Sequence, residues 1–174
     1  LQGRRPGDVG GKDVILSVIG RSGVDGAAYK SMEFGGPGLA SLGMADRLTM
    51  ANMAIEAGAK NGIFETDEIT RSYLRTSGAL RRIEYRPDED AAYAATVRVD
   101  LGALEPLVAL PSSPANVKPA REVGPVAIDQ VVLGSCTNGR IGDLRIAARL
   151  LRGRKAARGL RLLVLPGSQR VYAQ

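Results

Sequence analysis

Two apolar runs with a helical stripe between them leave the last third of this chain very few arrangements. Ile128-Asp-Gln-Val-Val-Leu133 reads as a buried strand. Leu160-Arg-Leu-Leu-Val-Leu165 reads as a second, closed by Pro166-Gly167-Ser168. Between them Ile141, Leu144, Ala148 and Leu151 recur at helical spacing, with Arg145, Arg149 and Arg152 on another face. A strand that returns to its sheet through a helix lies parallel to the first, by a right-handed crossover. The 22 glycines and 9 prolines among 174 residues add many turns, as an alternating α/β chain requires and a helical bundle does not.

Upstream, the pattern alternates in the same way. Asp13-Val-Ile-Leu-Ser-Val-Ile19 is an apolar run that Asp13, as N-cap, and Gly20, as stop, turn toward helix. Lys30 to Phe34 reads as a short strand that Gly35-Gly-Pro-Gly38 ends in a sharp turn. Leu42 to Ala57 reads as one helix, with Met44, Leu48, Ala51, Ile55 and Gly58 in register and Asp46 near its start. Gly58 and Gly62 permit a close approach before Ile63-Phe64, and Thr66-Asp67-Glu68 caps a further helix. Ala95 to Val99 alternates like a strand, Leu104 to Leu110 is extended, and Pro111 to Pro119 is an ordered loop. The polar stretch from Gly78 to Ala92 contains Arg86-Pro-Asp-Glu-Asp90 and marks a connection. The expected division is thus 1–77, a link at 78–93, and 94–174.

Charge and cysteine content exclude several classes. The net charge of +6 is unevenly placed: Arg140 to Gln174 holds nine Lys/Arg against Asp143 alone, and the remaining 139 positions are slightly acidic. With 4% aromatic residues and no Trp there is little to stack on bases, which disfavours nucleic acid as a partner. No run reaches the roughly 18 apolar residues of a membrane span. No apolar signal segment is visible, and one cysteine excludes an intrachain disulfide framework, so a cytoplasmic setting is expected. The chain lacks an initiator Met and ends just after a turn signal, as a piece cut at both ends would.

The one cysteine is where chemistry concentrates. Cys136 stands between a predicted strand and a predicted helix, a place where free N–H groups and the helix dipole favour a thiolate. Ser135, Thr137 and Asn138 beside it can hydrogen-bond sulfur or cap the helix. A buried structural cysteine, a nucleophile and a metal ligand all remain open from these residues. The nucleophile lacks its usual base, because the chain has no His. The metal ligand lacks companions, because an iron–sulfur cluster takes several thiolates.

Three separated motifs in order carry a resemblance. Gly134-Ser-Cys-Thr-Asn-Gly-Arg140 with Asp143-Leu-Arg145 and Pro166-Gly-Ser168 resembles the first cluster-cysteine segment of the aconitase superfamily. Gly11-Lys-Asp-Val-Ile-Leu16, Glu33-Phe-Gly-Gly-Pro-Gly38 and Asn52-Met-Ala-Ile-Glu-Ala-Gly-Ala59 resemble its middle segment. Thr66-Asp-Glu-Ile-Thr70 fits its isopropylmalate-dehydratase branch, a leucine-biosynthetic assignment, with homoaconitate-type enzymes close by. Ala51, where many relatives place a cysteine, and a Pro111-Ser-Ser-Pro114 segment without His are departures. Neither position is an expected cluster ligand.

The resemblance implies an α/β fold of aconitase-like three-layer α/β/α units with largely parallel sheets, here truncated. It implies a hydro-lyase that isomerises a hydroxy di- or tricarboxylate by dehydration and rehydration. Cys136 matches the first of three ligands to a [4Fe–4S] cluster, whose other two cysteines would lie beyond residue 174. Asn52 and Glu56 match residues lining the cluster pocket, Glu56 hydrogen-bonding the water or hydroxyl at the open iron. Their i, i+4 spacing suits one helix face. Ser135, Asn138 and Arg140 are candidates for the surroundings of the ligand, although Asn138 capping the helix that Arg140 starts accounts for that pair equally well. Glu33 matches a turn-holding position. The implied partner is a small subunit with a swivelling domain, in a heterodimer or heterotetramer, which carries the serine base; the piece alone would not turn over. The rival reading is a non-catalytic basic α/β module for nucleotide or nucleic acid. It is disfavoured because Gly134 to Gly139 is not G-x-G-x-x-G.

Overall fold

A computed structural model of the chain describes residues 1–78 and 83–174. It divides into two compact units, Leu1–Glu122 and Val123–Gln174. The division falls later than the link expected at 78–93, of which residues 79–82 lie outside the described residues. The physical reason is at Val99 and Leu101. Both are buried in the first unit's core, which ties the chain after the polar stretch to the elements before it.

In the first unit, helix α1 (Gly11–Ser22) begins two residues ahead of Asp13. Asp13 is the third residue of the helix, and its Oδ2 accepts from the Gly10 N–H at 2.7 Å. Its Oδ1 accepts from Leu107 N–H at 2.7 Å, joining the helix to a strand 94 residues later. One face of α1 supplies Val14, Ile15, Val18 and Ile19 to the core, as the apolar run predicts. Strand β1 (Ser31–Phe34) leads through the Gly35-Gly36 turn into a 3₁₀ turn at Pro37–Ser41.

The expected single helix over 42–57 is two elements. Helix α2 (Met44–Met53) is followed by a 3₁₀ turn, Ala54–Ala57, which Gly58 ends in the left-handed region at φ 80°. Ala54 and Ala57 are buried, and the tighter winding lets these small residues pack where an α-helical turn would have continued. Strand β2 (Asn61–Phe64) then pairs parallel with β1, Phe34 opposite Phe64, and those two rings stack at 4.7 Å. At Gly62 a Cβ would sit 2.8 Å from the Ala51 Cα, so β2 reaches α2 only because no side chain intervenes. Helix α3 (Glu68–Thr76) follows, with Asp67 as its N-cap accepting from Thr70 N–H, as the sequence predicts.

The alternating residues Ala95–Val99 do not form a strand. Val99 is buried, but among the described residues pairing in this stretch is limited to an isolated bridge between Gln2 and Asp100, so its alternation reflects packing without a partner strand there. After a 3₁₀ turn at Leu101–Ala103, strands β3 (Leu107–Ala109) and β4 (Val117–Pro119) form an antiparallel pair around the proline-rich loop.

The second unit realises the strand–helix–strand expectation. Strand β5 (Gln130–Gly134) is followed by a single helical turn α4 (Ser135–Asn138) and helix α5 (Ile141–Leu151). Strand β6 (Arg161–Leu165) pairs parallel with β5, Gly134 opposite Leu165, and α6 (Gln169–Ala173) closes the unit. The strand expected to be buried, β5, is only half-buried at Val131, Leu133 and Gly134. Val132 and Leu162 to Leu165 are exposed, because within the unit the cover on the two-strand sheet comes chiefly from α4 and α5 on β5. The α/β class with parallel strand pairs holds in both units, with β3–β4 the antiparallel exception.

Candidate active site

The turn that carries Cys136 is shaped from both of its ends. At its start Gly134 has φ 111° and Ser135 φ 76°, an unusual conformation for a residue with a side chain. Gly134 lies so close to the neighbouring strand that a Cβ would overlap the Leu165 carbonyl oxygen. At its far end Gly139 is buried, and its carbonyl accepts from Gly167 N–H at 2.6 Å. The end of β6 and the Pro166-Gly167 turn thus form the wall against which the cysteine turn is seated. Cys136 itself is exposed, so the buried structural reading does not hold.

The helix behind Cys136 is not the one the sequence suggested. Cys136 lies within the four-residue turn α4, and the long helix α5 begins only at Ile141. The α5 dipole is therefore satisfied by its own first-turn acid, Asp143, whose Oδ2 accepts from the Arg140 N–H at 3.1 Å. Asp143 Oδ1 accepts from Asn138 Nδ2 at 3.2 Å. The Arg140 guanidinium turns back to donate to the Thr137 carbonyl, so Arg140 braces the turn. Asn138 Oδ1 is buried with no hydrogen-bond partner among the described residues. Ser135, Cys136, Asn138 and Arg140 are thereby gathered on one turn.

Asn52 and Glu56 are both exposed in the first unit. Asn52 is in the last turn of α2 and Glu56 in the 3₁₀ turn that follows. Across that junction the chain winds by more than the α-helical angle per residue, so Glu56 sits further round the axis than i, i+4 spacing alone would put it. Glu33, in β1, accepts from the Tyr93 hydroxyl at 2.8 Å, and that carboxylate holds the phenol above its ordinary pKa. A shallow hollow of about 270 Å³ in the first unit is lined by Leu16, Ser17, Arg21, Leu104, Glu105 and Val117 among others, and contains none of the anticipated site residues.

Sequence reasoning missed Arg47. Its side chain is 1% exposed, yet its guanidinium donates to both carboxylate oxygens of Asp67, at 2.7 and 2.6 Å, and to the Leu39 carbonyl at 2.9 Å. The available signal was Asp67, read as a cap alone.

A single exposed thiol on a fixed turn fits one ligand of a thiolate-held cluster. It does not make a closed metal site, since no group of three or more His, Cys, Asp or Glu converges among the described residues.

A model of the aconitase family (aconitate hydratase) matches residues 1–125 and 116–174. The chain belongs to the aconitase family. Among curated relatives, the 3-isopropylmalate dehydratase large subunit of Lachnoclostridium phytofermentans is 59% identical over 166 residues, covering 95% of this chain and 39% of its own. That of Acetivibrio thermocellus is 52% identical over 174 residues, covering 100% of this chain and 42% of its own. That of Syntrophus aciditrophicus is 57% identical over 164 residues, with 94% and 39% covered. The chain spans about two fifths of the length of the curated relatives it matches. Their names are those of a dehydratase subunit, and they lend no support to a basic nucleotide or nucleic-acid module. Among the described residues no helix is long and apolar enough to cross a membrane.

Proposed function

We propose that this chain is part of the large subunit of an iron–sulfur hydro-lyase that interconverts hydroxy dicarboxylates of the 3-isopropylmalate type. The observation that carries the reading is the exposed Cys136 on a turn clamped to the adjacent strand, in a chain more than half identical to dehydratase large subunits. A ligand thiol must reach a metal while its backbone stays fixed, and this turn meets both needs. A [4Fe–4S] cluster, when bound, supplies a Lewis-acidic iron that polarises a substrate oxygen. Cys136 would hold one corner, with two further cysteines beyond residue 174. With one thiolate, these 174 residues alone would not turn over.

The remaining roles belong to side chains of this chain. Glu56, exposed beside the buried Ala57, would hydrogen-bond through its Oε atoms the water or hydroxyl that the reaction exchanges. Asn52, exposed four residues earlier, would line the cluster pocket. Ser135, Asn138 and Arg140 would keep the cysteine in place. The words "large subunit" in the relatives' names imply a smaller partner, and we extend that partner to this chain. A free, exposed thiol suits the reducing cytoplasm.

The test uses the full-length protein with its small subunit, reconstituted anaerobically with iron and sulfide. Cys136→Ser should lower bound iron and abolish turnover. Glu56→Gln should keep its iron and lose roughly 10²–10⁴-fold in kcat, the range for a general acid–base. Iron content indifferent to Cys136→Ser would sink the cluster assignment.

A further inference from the structure

We infer that Asp143 is a positioning residue for Cys136, acting through Asn138. The inference rests on the reading of Cys136 as a cluster ligand. Four residues are too few for a helical turn to hold its own shape, so α4 takes its geometry from its ends. The leading end is set by Gly134 against Leu165. The trailing end is held by the Gly139 carbonyl on Gly167 N–H, by Arg140 on the Thr137 carbonyl, and by Asp143, whose two carboxylate oxygens accept separately from Asn138 Nδ2 and from the Arg140 N–H.

Capping α5 explains the second of the Asp143 bonds and leaves the first without a purpose. The Asn138 bond has a directional consequence. A carboxylate can only accept, so it compels the amide to present its NH₂ group to Asp143. The amide carbonyl is thereby fixed on the opposite side, where Oδ1 is buried and unpartnered among the described residues. Neighbours that orient a metal ligand are commonly worth roughly 10–100-fold in metal retention. Asp143 occupies such a place although it sits on the following helix, seven residues from the sulfur.

The experiment measures iron loss to a chelator from the reconstituted full-length complex, together with its melting curve. Asn138→Ala and Asp143→Ala should each speed iron release by about 10–100-fold. The double variant should be no faster than the quicker single one, and N138D/D143N, which exchanges donor and acceptor, should restore retention. Asn138→Ala should leave the melting temperature unchanged, which a merely structural role would not predict. If Asp143→Ala speeds release and Asn138→Ala does not, Asp143 is a helix cap and the inference is overturned. Should Asp143→Ala fail to fold, Asn138→Ala and the exchange pair decide alone.

The cluster reading fails separately, by wild-type protein taking up no iron or by Cys136→Ser keeping it. Amide hydrogen exchange across 134–140 in the metal-free protein then decides. Asn138→Ala should speed it at least tenfold, and an unchanged rate overturns the inference.

Discussion

Asp67 grips the guanidinium of Arg47 with both carboxylate oxygens, at 2.6 and 2.7 Å, while Arg47 is almost wholly buried and Asp67 remains 34% exposed. The same carboxylate caps α3, so one side chain fixes a buried charge and starts a helix. Truncating it strands the charge. We expect Asp67→Ala to lower the stability of the first unit by about 2–3 kcal/mol, somewhat less than a fully buried pair because Asp67 keeps contact with water. Urea unfolding measures this, and a loss within experimental error would mean that the Leu39 and Leu42 carbonyls and the Thr70 hydroxyl suffice to hold Arg47.

The pair also sets a pH response. The hydrogen bond from Arg47 is the main reason that the Asp67 carboxyl is held at about 2, against an ordinary 3.8, with the Thr70 bonds adding to it and burial opposing it. A folded-state pKa below the unfolded one favours the native state only while the group is ionised. Its contribution is therefore complete above about pH 4 and disappears as pH falls toward 2. Asp67→Asn should flatten that part of the stability profile, and an unaltered slope between pH 4 and 2 would count against the pair as its source.

Asp46 serves two helices at once. Its Oδ1 accepts from Gly11 N–H at 2.7 Å, the first residue of α1, and its Oδ2 from Gly43 N–H at 3.2 Å, just ahead of α2. Asp46→Ala removes two helix-start acceptors together and should cost about 2 kcal/mol, twice a typical single cap. Asp46→Asn, which keeps one acceptor, should recover part of this. Equal losses in the two variants would argue that only one of the bonds matters.

The seat of the cysteine turn can be probed without metal. Gly134→Ala places a methyl group against the Leu165 carbonyl at a backbone φ of 111°. Strain and overlap together should cost about 3 kcal/mol or more. The damage should appear as faster amide exchange in β5 and β6, with α1 and α2 unaffected. Protection retained in both strands would show that the turn can relax away from β6.

Much of this architecture is legible in the residues. The strand–helix–strand order of 128–165, the helix at 13–19 and the Asp67 cap follow from local patterns that depend on near neighbours only. What escaped depends on distant parts of the chain. Val99 alternates like a strand residue yet has no strand beside it among the described residues. Arg47 looks like a surface cation until Asp67, twenty residues later, arrives to meet it. The helix over 42–57 changes its winding because Ala54 and Ala57 are drawn into a core that no local period reveals. The cysteine motif identified its turn, but the short α4 and the grip of Asp143 on Asn138 arise from the way 134–143 folds back on itself.

The nearness of Gly134 to the Leu165 carbonyl has a consequence for how this protein can vary. The sulfur takes its place from the far strand and from Asp143 at the start of α5, and not from the stretch that joins α5 to β6. The exposed stretch from Arg152 to Gly159 can lengthen, shorten or change its charge while Cys136 stays where it is. A slip of one residue in β6 would instead displace the thiol, however faithfully every letter around position 136 were kept.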